Sequence, residues 1–142
     1  MRRSSVCVLA LFALMAWLGF PLLQPSSSSS VDYSIVAQSS DHGRAFVVRD
    51  ATIEPGGRIG WHWHRGTVIA AVKEGTLYHY GSDCSLDGIY RAGESFVEPS
   101  GADHVHDGRN LGATPVVLEV MYIIPEGTPL ADAREAPPGC VT

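Results

Sequence analysis

Apolar and polar residues alternate along much of the chain after residue 30, with the two-residue period of half-buried β-strands. Turn residues interrupt this alternation at short intervals, as in Glu54-Pro55-Gly56-Gly57 and Pro99-Ser100-Gly101. No stretch of ten or more residues in this part carries the 3.6-residue stripe of an amphipathic helix. The pattern predicts an all-β domain, an antiparallel sandwich or barrel, with strands at Tyr33–Gln38, Ala45–Ile53, Arg58–His64, Val68–Glu74, Thr76–Tyr80, Ile89–Arg91, Ser95–Glu98, His104–Asn110 and Val116–Ile124.

The first 30 residues have a different composition from the rest. Arg2 and Arg3 precede a charge-free run over Val6–Phe20, and the serine run Ser26–Ser30 follows it. This order is typical of a secretory signal peptide with a flexible spacer, and it predicts export to the periplasm or the cell exterior. Because Val6–Leu23 approaches the length needed to span a bilayer, a membrane anchor is the alternative. The protein would then touch the membrane only through this segment.

The remaining sequence predicts one domain and a tail. Residues 31–125 form the predicted barrel, and residues 126–142 form a tail rich in proline and glycine. All fifteen acidic residues lie after residue 30, together with eight of the ten basic residues. This acidic balance argues against a nucleic-acid partner.

Two cysteines, Cys84 and Cys140, lie outside the N-terminal segment. An even pair in an exported chain predicts a disulfide bond, here between the tail and a mid-chain loop. Two free thiols are the alternative. The chain has no Cys-x-x-Cys spacing, so the sequence does not indicate a cysteine-based zinc site or a redox dithiol.

Four of the six histidines form two His-x-His pairs, His62 with His64 and His104 with His106. Residues i and i+2 of a strand point to the same face, so each pair can direct both imidazoles into one cavity. Imidazole nitrogen is a good ligand for Fe(II), Zn, Mn, Ni or Cu. The pattern therefore predicts a divalent metal cation bound by His62, His64, His104 and His106.

The spacing around these histidines resembles that of a known family. Gly56-x5-His62-x-His64 with Gly75, followed by Gly93-x5-Pro99-x-Gly101-x2-His104, resembles the two signature motifs of the cupins. The resemblance covers about residues 33–125 and implies a double-stranded β-helix, or jelly-roll barrel, with a divalent metal and a small-molecule ligand inside it. It places His62, His64 and His104 at ligand positions of the family, with His106 as a fourth nitrogen or a close neighbour.

Two positions depart from the family pattern. The glutamate ligand expected in the first motif is replaced by Val68, and the asparagine expected to end the second motif is replaced by Gly108, with Asn110 two residues late. Glu98 and Glu119 are candidate inward carboxylates that would hydrogen-bond a metal ligand or accept a proton.

The resemblance leaves several functions open. A shell of three neutral histidines is similar to that of cupin thiol and diketone dioxygenases, which implies an oxidoreductase that acts on a small molecule. The alternatives are a non-catalytic module that binds a small molecule or a metal, and an isomerase of a sugar or a keto acid. Trp61 and Trp63 flank His62 and are therefore expected on the opposite face of the strand. Packing between the sheets and a homodimer contact are the two alternatives for them.

Overall fold

The computed structural model describes residues 31–140, and the predicted signal or anchor segment lies outside them. The described chain is all-β and contains no helix, hence none long and apolar enough to cross a membrane. Its ten strands are β1 Val31–Asp41, β2 Arg44–Ile53, β3 His62–Trp63, β4 Thr67–Glu74, β5 Thr76–Gly81, β6 Leu86–Arg91, β7 Ser95–Glu98, β8 His106–Arg109, β9 Val116–Pro125 and β10 Asp132–Ala133.

The strands form two antiparallel five-stranded sheets. The first sheet has the order β1-β2-β9-β4-β7, and the second has the order β10-β3-β8-β5-β6. Neighbours in each sheet are mostly distant in sequence, so the chain crosses repeatedly between the two sheets. This arrangement is the predicted jelly-roll barrel.

The core fills the space between the sheets with alternate residues of the long strands. On β9, the inward positions are Val116, Leu118, Val120, Tyr122 and Ile124, all of them buried. On β4, Val68, Ala70 and Val72 alternate in the same way with more exposed neighbours. Burying one face of a strand in this manner fixes its register, because a shift of one residue would turn every apolar side chain toward solvent.

Each of the nine predicted strand segments overlaps an observed strand. The largest differences in length are at β1, which runs for 11 residues as an exposed strand at the edge of the first sheet, and at β3, which has only 2 residues. The largest difference for the site is at β8, which begins at His106 and not at His104. The short strand β10 was not predicted, because its two residues carry no readable alternation.

The C-terminal tail packs against the edge of the second sheet. Asp132 pairs with Trp63 and Ala133 with His62, so β10 extends the second sheet beyond β3. A bidentate ion pair joins Arg65 to Asp132, with both nitrogen–oxygen distances at 2.9 Å. The tail thereby becomes part of the wall beside the histidines.

A disulfide bond between Cys84 and Cys140 holds the end of this tail. It joins residues 56 apart in sequence, as the pairing of the two cysteines predicted. Cys84 lies in the loop between β5 and β6 and adopts a positive φ of 68°. The crosslink therefore ties the tail to the second sheet at a second point.

Replacing both cysteines by serine is expected to lower the free energy of unfolding by about 3–4 kcal/mol, since a closed loop of this length restricts the unfolded chain. Urea denaturation of the variant and the parent protein measures the difference. In the parent protein, neither Cys84 nor Cys140 should take up an alkylating label before reduction. Full labelling of both residues without reductant would contradict the crosslink.

Candidate metal centre

Three buried histidines have their ring orientation fixed by backbone carbonyls. The Nδ1–H of His62 donates to the carbonyl of Gly60 at 2.7 Å, and that of His64 donates to the carbonyl of Leu130 at 2.7 Å. The Nδ1–H of His106 donates to the carbonyl of His104 at 2.8 Å. A carbonyl can only accept, so Nδ1 carries a proton in each ring, and in the neutral form of the ring the free lone pair is on Nε2. Metal-binding histidines typically show this arrangement.

The three rings converge in the barrel interior. His62 lies directly opposite His106 across β3 and β8, and their ring centroids are 4.4 Å apart. The ring of His64 lies 4.8 Å from that of His62 and 5.2 Å from that of His106. All three residues are buried. The second sheet and the tail thus bring three imidazole nitrogens to one place.

A carboxylate from the opposite sheet completes the cluster. Glu98, at the end of β7, places Oε2 3.0 Å from Nε2 of His64 and Oε1 3.4 Å from Nε2 of His106. Neither of these two buried Nε2 atoms has a well-aligned hydrogen bond among the described residues. One ligand atom from each of His62, His64, Glu98 and His106 lies within 4.8 Å of the others. This donor set fits a divalent transition metal, whose bonds to nitrogen and oxygen are about 2 Å long.

Electrostatics favour the ligating form of these groups. Burial, and next the neighbouring His106, lower the pKa of His62 to about 4, so its ring is neutral near pH 7. Burial alone would raise the pKa of Glu98, but the rings of His106, His64 and His79, which face the carboxylate and stabilise its charge when they are protonated, hold that pKa well below its usual range. Neutral imidazole and ionised carboxylate are the forms that bind metal.

His79 approaches the carboxylate oxygen of Glu98 that also faces His106. Its Nε2 lies 3.4 Å from Oε1 of Glu98, and its Nδ1 lies 2.6 Å from Oδ1 of Asp87. Burial opposes protonation of this ring, but the nearby carboxylates of Glu98 and Asp87 raise its pKa above the ordinary value. His79 therefore links a buried ligand candidate to a half-exposed aspartate. Sequence reasoning did not assign this residue to the site, because a single histidine carries no spacing signal.

His104 is not part of the cluster, which corrects its assignment as a ligand candidate. Its side chain is 48% exposed, and its Nε2 lies 3.9 Å from Oδ2 of Asp103. The residue lies in a turn, where its own N–H donates to the carbonyl of Gly101 at 3.1 Å. The i, i+2 rule applies only inside a strand, and here the strand begins at His106.

Glu98 also changes the interpretation of Val68. The sequence indicated that the family's glutamate was missing at this position. In the first sheet, Val68 on β4 pairs directly with Glu98 on β7. Directly paired residues of an antiparallel sheet point to the same face. The barrel therefore has a carboxylate beside the expected position, supplied by the neighbouring strand.

Residues of the cluster line two cavities. The larger one has a volume of about 850 Å³, and His62, His64 and Glu98 form part of its wall. Its other walls come from inward residues of both sheets and from the tail between Leu130 and Ala136. Trp61, expected on the opposite face, is buried and lines this cavity. A smaller cavity of about 320 Å³ lies against His106, His104 and Asp87.

Comparison with known proteins agrees with this geometry. The family model of the cupin domain matches residues 49–124, more than half of the chain. The chain belongs to the cupin family. No curated protein sequence matches it significantly.

Solved structures show the same cupin fold. A conserved protein with a double-stranded β-helix domain from Klebsiella pneumoniae is 22% identical, with a TM-score of 0.62 over 79% of this chain and 90% of that one. A cupin domain from Bordetella pertussis is 23% identical, with a TM-score of 0.53 over 66% and 92%. A recombinant oxalate oxidase in complex with glycolate is 24% identical, with a TM-score of 0.58 over 76% and 57%.

Proposed function

We propose that this cupin is an exported, divalent-metal-dependent dioxygenase that acts on a small molecule held in the larger cavity. The observation that carries the proposal is the set of three Nδ1–H bonds to backbone carbonyls, which leave Nε2 of each ring available as a ligand in the cluster with Glu98. This cluster lies at the wall of a cavity large enough for a ligand. A structural metal site is closed by protein ligands, whereas a catalytic site keeps a position open.

Glu98 alters the chemistry expected from a shell of histidines alone. Its negative charge would partly neutralise a divalent ion, and four protein ligands would leave two positions of an octahedral ion free. When bound, ferrous iron would supply electrons for the activation of dioxygen. A dioxygenase places both oxygen atoms of O₂ in its product, so the electrons balance without a nicotinamide or a 2-oxo acid.

The protein's own residues would position the substrate and exclude water. Inward apolar side chains line the cavity beside the cluster, among them Ala70, Leu77, Leu118 and Val120. A low-polarity wall strengthens electrostatic interactions at the reacting atoms and keeps bulk water away. His79, held by Asp87, keeps the carboxylate of Glu98 in place.

The proposal of export rests on two features. The N-terminal segment has the layout of a secretory signal, and the barrel carries a disulfide bond. Structural disulfides form and persist mainly in oxidising compartments, which include the periplasm and the cell exterior.

Oxygen consumption by the iron-loaded protein tests the proposed activity. We expect uptake with at least one member of a panel of thiols, diketones and enediols, without added reductant. The His62→Ala variant should lose this uptake and its metal together, while His42→Ala, an exposed histidine in the β1–β2 turn, should keep both. If the iron-loaded protein consumes no oxygen but binds a small ligand stoichiometrically, the dioxygenase proposal is wrong. The protein would then be a non-catalytic binding module.

A further inference from the structure

Arg49 is a cation on the inner face of the first sheet. It lies on β2 between the buried residues Val47 and Ala51, and it pairs with Val120 of β9. Inward positions of this strand are otherwise apolar, and strand alternation directs the arginine to the same side. A charge at such a position is costly unless a partner compensates it.

The described residues compensate Arg49 only in part. Its Nη2 donates to the hydroxyl of Tyr122 at 2.6 Å, and its guanidinium lies 3.9 Å from the ring centroid of Tyr33. Its Nε is buried and has no hydrogen-bond partner among residues 31–140. Burial raises the pKa of Tyr122 to about 12, so this hydroxyl is neutral and does not balance the positive charge. No carboxylate of the described chain forms an ion pair with Arg49.

Arg49 faces the same cavity as the candidate metal ligands. It lines the 850 Å³ cavity together with His62, His64 and Glu98. The ring of Tyr122 is close to both, with its centroid 5.7 Å from that of the His64 ring and 5.0 Å from the guanidinium of Arg49. A small molecule in this cavity can therefore approach the metal cluster and the guanidinium at once.

We propose that Arg49 binds a carboxylate group of the ligand that occupies this cavity, which makes the substrate of the proposed enzyme a small carboxylic acid. The planar guanidinium presents parallel N–H donors that match a carboxylate, and its unpartnered Nε is one of them. The described chain has no helix N-terminus that would supply the additional donors of a typical phosphate site. The assignment as substrate rests on the proposed function, but the binding of the acid does not.

Calorimetric titration of the full-length protein, with and without bound metal, tests this inference. The probes are succinate and glycolate, their uncharged amides, and inorganic phosphate. We expect the acids to bind more tightly than the amides and than phosphate. Arg49→Gln should weaken binding of the acids about ten- to hundred-fold, as expected for loss of a charged hydrogen-bonding partner, and leave the weak amide binding unchanged.

Two further variants complete the test. Arg44→Gln, which removes an exposed arginine on the same strand outside this cavity, should bind the acids like the parent protein. Arg49→Lys keeps the positive charge but lacks the planar guanidinium, so it should bind the acids with intermediate affinity. If Arg49→Gln does not fold, the comparison of Arg49→Lys with the parent protein tests the proposal. Equal affinity of the parent protein and the Arg49 variants would overturn the proposal, as would tighter binding of phosphate or of the amides, or no binding of either acid.

Metal content and oxygen uptake, measured on the same samples, separate this proposal from the proposed function. If the protein binds the acids through Arg49 but holds no metal, only the proposed dioxygenase function is contradicted. A metal-loaded, oxygen-consuming protein whose affinity for the acids is independent of Arg49 would contradict only the inference.

Discussion

His62→Ala and His106→Ala are each expected to lower the affinity for a divalent metal at least about a hundred-fold, because each removes a candidate ligand of the buried cluster. His104→Ala should keep the metal affinity of the parent protein. The two histidines of the second pair differ because His106 is buried on β8 with its Nδ1–H bonded to a carbonyl, whereas His104 lies half-exposed in the preceding turn. Competition with a coloured chelator, after reconstitution with Fe(II), Mn(II) or Zn(II), measures the affinity.

His42→Ala is the matched control, since the side chain of His42 is 90% exposed and lies far from the cluster in sequence. Circular dichroism shows whether each variant keeps the all-β fold. A loss of metal on His104→Ala, with metal retained on His106→Ala, would mean that His104 and not His106 binds the metal.

The strands and the barrel could be predicted because their signals are local. Alternation of apolar and polar residues marks each long strand, as in Val116–Ile124, and turn residues mark where it ends. The His62-x-His64 spacing also indicates correctly that both side chains are buried in the interior, although β3 itself ends at Trp63 and the rotation of His64 is held by the carbonyl of Leu130. These features depend only on a few consecutive residues, so they can be predicted from a single sequence.

The choice between His104 and His106 depends on where one strand begins. Four residues separate Gly101 from His106, two more than the family spacing, and the extra length forms the turn that holds His104. The later part of the motif keeps its spacing, because Asn110 follows His106 by four residues. The buried amide of Asn110 donates to the carbonyls of Ile53 and Thr114. The apparently late asparagine was thus the sequence signal for His106.

The role of Glu98 could not be assigned from local pattern. Alternation with Phe96 indicates that its side chain points inward, but which residues it meets depends on the pairing of β4 with β7. That register is set by contacts between segments 30 residues apart. The unpredicted position of the tail has the same origin, since Leu130 reaches His64 only in the folded barrel.

The direct pairing of Val68 with Glu98 predicts a second large effect on metal affinity, in variants of these two residues. Glu98→Val should lower metal affinity at least about a hundred-fold, since it removes the only carboxylate of the cluster. Adding Val68→Glu should restore most of that affinity, because directly paired residues share a face and their Cβ atoms lie about 5 Å apart. In both single and double variants, chelator competition measures the affinity and urea denaturation measures stability.

Val97→Glu provides the matched control for this exchange. Val97 is 59% exposed and points to the outer face of the same strand, so a glutamate there should not restore the affinity lost in Glu98→Val. Val68→Glu alone should destabilise the barrel, because it places two carboxylates side by side in a buried site. Rescue by Val97→Glu as well as by Val68→Glu would show that added negative charge acts without coordination. Full metal affinity in Glu98→Val would instead mean that histidines alone hold the metal. The bound ion would then keep its full 2+ charge, because no carboxylate would neutralise it in part.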